Sequence, residues 1–162
     1  MTFPARQRRL LRDEDGDLAV LEGRTIAVLG YGLLGRPLAL NLRETGAGTV
    51  IVGSDDQPSS AQAVADGFVV ESLAEATAAA DVALLLVPDE AQPEVMERIA
   101  PRLRPGSTLL FASGYALAYD LVSPPPGVNI VLFAPRMSGD PIRARFLAGQ
   151  GFLSYVGVEQ EA

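Results

Sequence analysis

The sequence predicts an α/β fold: a Rossmann-type, doubly wound, mostly parallel sheet in a single domain. Three observations carry that expectation. Short, largely apolar strand segments, such as Thr25 to Leu29 and Val82 to Val87, alternate with Ala-rich or amphipathic helical segments, and strands of that kind are buried on both faces, as in parallel sheets covered by helices. Gly and Pro punctuate the boundaries between segments. A chain of 162 residues, 48% of them apolar, also suffices for one real core. Residues 1–20 are expected to form an N-terminal arm, and residues 21–162 the domain.

The first unit is the most informative. Ile26, Val28 and Leu29 lead as a buried strand into Gly30-Tyr31-Gly32-Leu33-Leu34-Gly35, the G-x-G-x-x-G spacing of a dinucleotide fingerprint. Gly30 permits the tight turn, Gly32 leaves the backbone uncovered against a pyrophosphate, and Gly35 lets the next helix pack on the strand. The helix N-terminus then faces the anion. Leu34, Leu38, Ala39 and Leu42 recur at helical spacing, and Gly46 closes the helix. Arg36, in the first turn, faces either the pyrophosphate or solvent, and Pro37 is tolerable because it lies near that turn.

The remaining elements follow in order. Thr49 to Gly53 is the second strand, followed by an Ala-rich helix from about Ser60 to Asp66 and a short strand at Phe68-Val69-Val70. Ser72 and Glu75 form a capping box for the helix ending at Ala80. The strand Val82 to Val87 leads to a helix that Asp89 caps, with Val95, Met96 and Ile99 on its apolar face. Pro105-Gly106 turns into Thr108 to Phe111, and further strands are expected at Asn129 to Phe133 and Phe152 to Val158. Ser123 to Gly127 is a surface turn.

Composition excludes several classes. The chain has no Cys or His, and all 13 of its cations are Arg, so disulfide frameworks, thiolate metal sites and imidazole chemistry are absent. No metal site is expected. A net charge of −7 argues against nucleic acid or an anionic membrane surface as partner. The N-terminal stretch is not expected to be a secretory signal, and the longest apolar run is too short to span a bilayer. A cytoplasmic location is the default. Asp13, Glu14, Asp15 and Asp17 lack the glycine position of a calcium loop and are expected as a solvated turn.

Candidate site residues follow from the fold class. In a doubly wound sheet the ligand lies at the carboxyl ends of the strands, which places Val87, Pro88 and Asp89 after one strand and Ser113, Gly114 and Tyr115 after the next beside a bound cofactor. Asp89 and Glu90 also suit capping. The Tyr115 hydroxyl is a candidate proton donor after hydride transfer, with packing or hydrogen bonding as the competing role. The loop after the second strand holds Ser54, Asp55, Asp56 and Ser59, and no cation occurs between Glu44 and Glu97. An acidic side chain there accepts from the ribose 2′-hydroxyl, whereas a 2′-phosphate needs cations. NAD(H) is therefore expected to be favoured over NADP(H).

Further motifs match in order along about nine tenths of the chain. They include Asp15-Gly16-Asp17-Leu18, Leu21-Glu22-Gly23-Arg24, Ala65-Asp66-Gly67-Phe68, Pro88-Asp89-Glu90-Ala91-Gln92, Ala134-Pro135-Arg136 and the closing Val158-Glu159-Gln160-Glu161. Together with the glycine fingerprint they resemble the N-terminal cofactor-binding domain of the ketol-acid reductoisomerases, the acetohydroxyacid isomeroreductases of branched-chain amino acid synthesis. The resemblance implies an NAD(P)H-dependent oxidoreductase domain. Two departures stand in the active-site segments. The family's Ala-His-Gly-Phe is here Ala112-Ser113-Gly114-Tyr115, and its Pro-Lys-Gly-Pro-Gly is Pro135-Arg136-Met137-Ser138-Gly139. Arg136 keeps the positive charge and can hold an anion, but it serves poorly as an acid. Ser113, Tyr115 and Arg136 are the catalytic candidates that remain.

The family's helical, knotted domain, which supplies magnesium-binding carboxylates, has no counterpart in these residues. Three functions stay open: the reductase half of such an enzyme, either a piece of a longer chain or completed by a separate helical partner, a stand-alone reductase of another keto or imine substrate, and a non-catalytic dinucleotide-binding or regulatory protein. A homodimer built on the apolar last strand is expected to cover the surface where the helical domain would pack.

Overall fold

The computed structural model describes residues 10–46 and 48–162; the part of the expected arm at residues 1–9 lies outside them. Two short 3-10 turns, Asp13–Asp15 and Leu18–Leu21, lead into the sheet. Asp17 caps the second by accepting the Ala19 N–H at 2.9 Å.

Seven strands form one sheet in the order β3-β2-β1-β4-β5-β6-β7. They are β1 (Thr25–Leu29), β2 (Thr49–Gly53), β3 (Val70–Glu71), β4 (Val82–Leu85), β5 (Thr108–Phe111), β6 (Asn129–Pro135) and β7 (Ser154–Gln160). The first six run parallel; β7 pairs antiparallel with β6 at the edge. The helices are α1 (Gly35–Thr45), α2 (Gln57–Ala65), α3 (Leu73–Ala79), α4 (Gln92–Ile99), α5 (Tyr115–Ala118) and α6 (Asp140–Leu147).

Strand period explains the two cores. On β1, Ile26 and Val28 point to one face and join Leu38, Ala39, Ala63 and Ile142 of α1, α2 and α6. Ala27 and Leu29 point to the other and join Leu73, Ala76, Val95, Met96 and Ile99 of α3 and α4. Both faces of the central strands are therefore dry, and each fully buried aliphatic side chain contributes about 1.5–3 kcal/mol. The strand order reverses between β1 and β4, and the crevice at their carboxyl ends is where such sheets place a ligand.

Several local expectations need correction. Helix α2 starts at Gln57 rather than Ser60, because Asp56 caps it by accepting the Ser59 N–H at 2.9 Å and Pro58 suits its first turn. Strand β3 begins at Val70, since Phe68 leaves the sheet direction to bury its ring edge-on against Tyr31, with centroids 5.7 Å apart. Helix α6 was not expected, and β7 starts at Ser154, two residues late. Asp89 opens a 3-10 turn that runs into α4, but its carboxylate binds side chains rather than capping the backbone. The capping box of α3 and the left-handed Gly46 at the end of α1 are as expected.

Candidate dinucleotide cleft

A cleft of about 820 Å³ opens at the carboxyl ends of β1, β2, β4 and β5. Its floor is the turn from Gly30 to Leu34. Gly30 has φ +96°, and a Cβ there would stand 3.0 Å from the Val87 nitrogen, so the β1 turn lies tight against the end of β4. A Cβ on Gly35 would lie 1.9 Å from the Gly30 carbonyl oxygen, so only glycine lets α1 pack this close. At Gly32, by contrast, an added Cβ meets nothing within 4 Å. The first rung of α1 runs from the Arg36 N–H to the Gly32 carbonyl at 3.1 Å, so the Leu33 and Leu34 amides precede the helical ladder. They stand where an anion meets the positive end of the helix dipole. A bare backbone at Gly32 beside amides ahead of the helix is a cradle that fits a pyrophosphate.

The wall after β2 carries Ser54, Asp55, Asp56 and Ser59. Asp56 is held below the usual carboxylate range by hydrogen bonds from the Ser59 side chain and amide. Asp55 uses both oxygens: Oδ1 accepts the Leu73 N–H at 3.2 Å, and Oδ2 pairs with the Arg98 guanidinium. At the other end, Val87, Pro88, Asp89, Ala112 and Ser113 line the cleft, with Ser138 arriving from the turn before α6. Ser113 Oγ donates to Asp89 Oδ2 at 3.0 Å and accepts the Tyr115 N–H at 3.2 Å. Gln92 Nε2 donates to Asp89 Oδ1 at 2.9 Å, while Gln92 Oε1 is buried with no partner among the described residues.

The fold thus gathers Gly30, Tyr31, Gly32, Leu33, Leu34, Ser54, Asp55, Asp56, Ser59, Val87, Pro88, Asp89 and Ser113 around one cleft. Five expected residues do not line it. Gly35 packs on the Gly30 carbonyl, and Gly114 stands at the start of α5. Arg36 turns away to Asp66, with Nε–Oδ2 at 2.7 Å and a second nitrogen on Oδ1 at 3.1 Å. Tyr115 is exposed and rests on Tyr119, centroids 4.8 Å apart, and Arg136 lies over the Tyr155 ring at 5.7 Å. Tyr31 lines the cleft, but its hydroxyl donates to Asp66 Oδ2 at 2.9 Å, and burial first, then that bond, pushes its pKa up.

Sequence reasoning missed Arg98, Gln92, Leu73, Ala112 and Ser138 as lining residues. The helical spacing of Val95, Met96 and Ile99 already oriented α4, and Arg98 stands one residue before Ile99 near the end of that helix. That was the available signal. Among the described residues, no group of three or more His, Cys, Asp or Glu is placed to hold a metal ion, and no helix is long and apolar enough to cross a membrane.

The family model for the acetohydroxy acid isomeroreductase NADPH-binding domain matches residues 20–162. A ketol-acid reductoisomerase (NADP(+)) of Pyrobaculum calidifontis is 44% identical over 154 residues, covering 94% of this chain and 47% of the relative. One from Pyrobaculum arsenaticum is 42% identical over 153 residues, with the same shares covered. The structure of an NADH-preferring ketol-acid reductoisomerase from an uncultured archean superposes with a TM-score of 0.89 at 35% identity, covering 94% of this chain and 48% of that one. The chain spans about half the length of the curated relatives it matches. The glycine cradle at the sheet's switch point and these matches lead to one conclusion: the chain belongs to the acetohydroxy acid isomeroreductase family, within its NAD(P)-binding domain.

Proposed function

We propose that the chain binds NADH in preference to NADPH and acts as the reductase half of a ketol-acid reductoisomerase-like enzyme, delivering hydride to a keto or imine carbon. The observation that carries this is the uncovered backbone of Gly32 beside the open amides at the start of α1. Gly30 to Leu34 hold the pyrophosphate, Ser54, Asp55, Asp56 and Ser59 the adenosine ribose, and Val87, Pro88, Asp89 and Ser113 the nicotinamide end. A bound reduced nicotinamide supplies the hydride. Ser113, whose single hydroxyl hydrogen turns from Asp89 to the substrate oxygen, positions that oxygen. The ionised Asp56, exposed at the cleft, opposes a 2′-phosphate.

Calorimetric titration with each reduced cofactor tests this reading. NADH is expected to bind more tightly. Tighter NADPH binding overturns the preference, and failure of both to bind at millimolar concentration overturns the reading itself.

One observation favours a second reading. Tyr115 and Arg136, two of the three catalytic candidates, stand outside the cleft, which suits a protein that binds the dinucleotide without turnover. Cofactor oxidation with a panel of keto acids separates the two. For assembly, β7 forms the sheet edge, with Tyr155 and Val156 on it exposed at 59% and 58% and Leu153 just before it at 62%. An apolar edge strand of this kind suits a homodimer, or a helical domain docked on the same edge.

A further inference from the structure

The cleft contains one guanidinium among its lining residues, that of Arg98, and it comes from an element that the loop after β2 does not include. Arg98 stands near the carboxyl end of α4, 43 residues from Asp55. Its position decides what the loop presents to a ligand. Asp55 is anchored on one side by the Leu73 N–H, so its second oxygen is aimed at Arg98 by the start of α3 and not by a flexible loop alone. The arginine side chain remains 46% exposed and the carboxylate 32%, so neither group is sealed from a ligand entering the cleft.

We propose that Arg98 is a latent 2′-phosphate site held in check by Asp55, and that this pair sets the discrimination between NADH and NADPH. The inference rests on the reading above that the cleft holds a nicotinamide dinucleotide. A guanidinium stays charged at every physiological pH, and its planar fork suits a phosphate as well as a carboxylate. Paired with Asp55 it presents no net charge, and the neighbouring Asp56 carboxylate then leaves this end of the cleft negative. A ribose hydroxyl, which is uncharged, can donate to a carboxylate there; a 2′-phosphate is repelled by the same field. Removing the Asp55 charge while keeping an acceptor for the Leu73 N–H frees the fork and neutralises the local field.

The test is a double-mutant cycle on binding. Wild type, Asp55→Asn, Arg98→Gln and the double variant are titrated with NADH and with NADPH, and the ratio of the two dissociation constants is read. Asp55→Asn is expected to move the ratio toward NADPH by about tenfold, the scale of one hydrogen bond to a charged group. That gain is expected to shrink with added salt. In the double variant it disappears. Arg98→Gln alone leaves Asp55 unneutralised and moves the ratio several-fold the other way; it remains informative even where Asp55→Asn does not fold. An unchanged ratio in Arg98→Gln, or a gain that survives in the double variant, overturns the proposal while leaving dinucleotide binding intact. Wild type that binds neither cofactor overturns the underlying reading instead.

Discussion

Arg36 on α1 and Asp66 at the end of α2 form a two-point ion pair, Nε to Oδ2 at 2.7 Å and the second nitrogen to Oδ1 at 3.1 Å. The Tyr31 hydroxyl donates to the same Oδ2 at 2.9 Å. Arg43 adds a bond to the Asp66 carbonyl at 2.6 Å and lies 4.3 Å over the Phe68 ring. The cluster fastens α2 to α1 and fixes the residue between the first two fingerprint glycines.

Stability at low pH follows from this cluster. Hydrogen bonding from Arg36 lowers the Asp66 pKa from an ordinary 3.8 to about 2. A carboxylate depressed on folding contributes stability above its unfolded value and loses it as pH falls through its folded value. Arg36 is half exposed, so the contribution is about 1–2 kcal/mol after screening. Urea denaturation of wild type and Asp66→Asn is expected to show that gap at pH 6 and to show it closing between pH 4 and pH 2. A gap independent of pH would show that the ion pair is not its source.

Two glycines of the fingerprint should separate folding from binding. Gly35→Ala places a methyl 1.9 Å from the Gly30 carbonyl oxygen, so a loss of about 3 kcal/mol or more is expected in thermal unfolding. Gly32→Ala meets no atom within 4 Å; its melting temperature should hold, while dinucleotide affinity falls about tenfold through crowding of the pyrophosphate. Equal loss of stability in both variants would contradict the assigned roles.

The Asp89 carboxylate holds two donors, Ser113 Oγ and Gln92 Nε2. Gln92 is 2% exposed, so Asp89→Ala strands its amide at a cost of about 1–3 kcal/mol. Asp89→Asn should be nearly neutral for stability, because rotation of the Gln92 amide lets its unpartnered Oε1 accept from the new side chain. Parallel thermal melts of the two variants decide the point, and an Asn variant as unstable as the Ala variant would speak against the rotation.

A charge on the exposed edge should report on assembly. Tyr155→Glu or Val156→Asp is expected to shift light-scattering mass from dimer to monomer without changing far-ultraviolet circular dichroism. Wild type that is monomeric at high micromolar concentration rules out the homodimer.

These 162 residues alone, supplied with magnesium and NADH, are expected not to convert 2-acetolactate to the dihydroxy acid. Alkyl migration needs divalent ions to polarise the ketone and alkoxide, and the described residues bring no set of carboxylates or imidazoles together for them. Product formation by the purified chain, checked by mass spectrometry, would refute this.

Features that depend on near neighbours in the chain were legible in the residues alone. The turn from Gly30 to Gly35, the capping box at Ser72 and Glu75, and the doubly buried β1 and β4 all follow from spacings of two to five residues, which periodicity and backbone sterics make legible. Helix α6 is not legible in the sequence, because its residues lack a strong apolar stripe and only Ile142 is fully buried, against α1. Partnerships between distant charges were decided by tertiary structure alone. Arg36 was expected at a phosphate or in solvent and instead joins Asp66, 30 residues on. The loop after β2 has no cation within its own stretch of sequence, yet packing of α4 beside α3 brings Arg98 to Asp55. A guanidinium follows the field of whatever the fold places within reach, and that field is summed over space rather than over sequence.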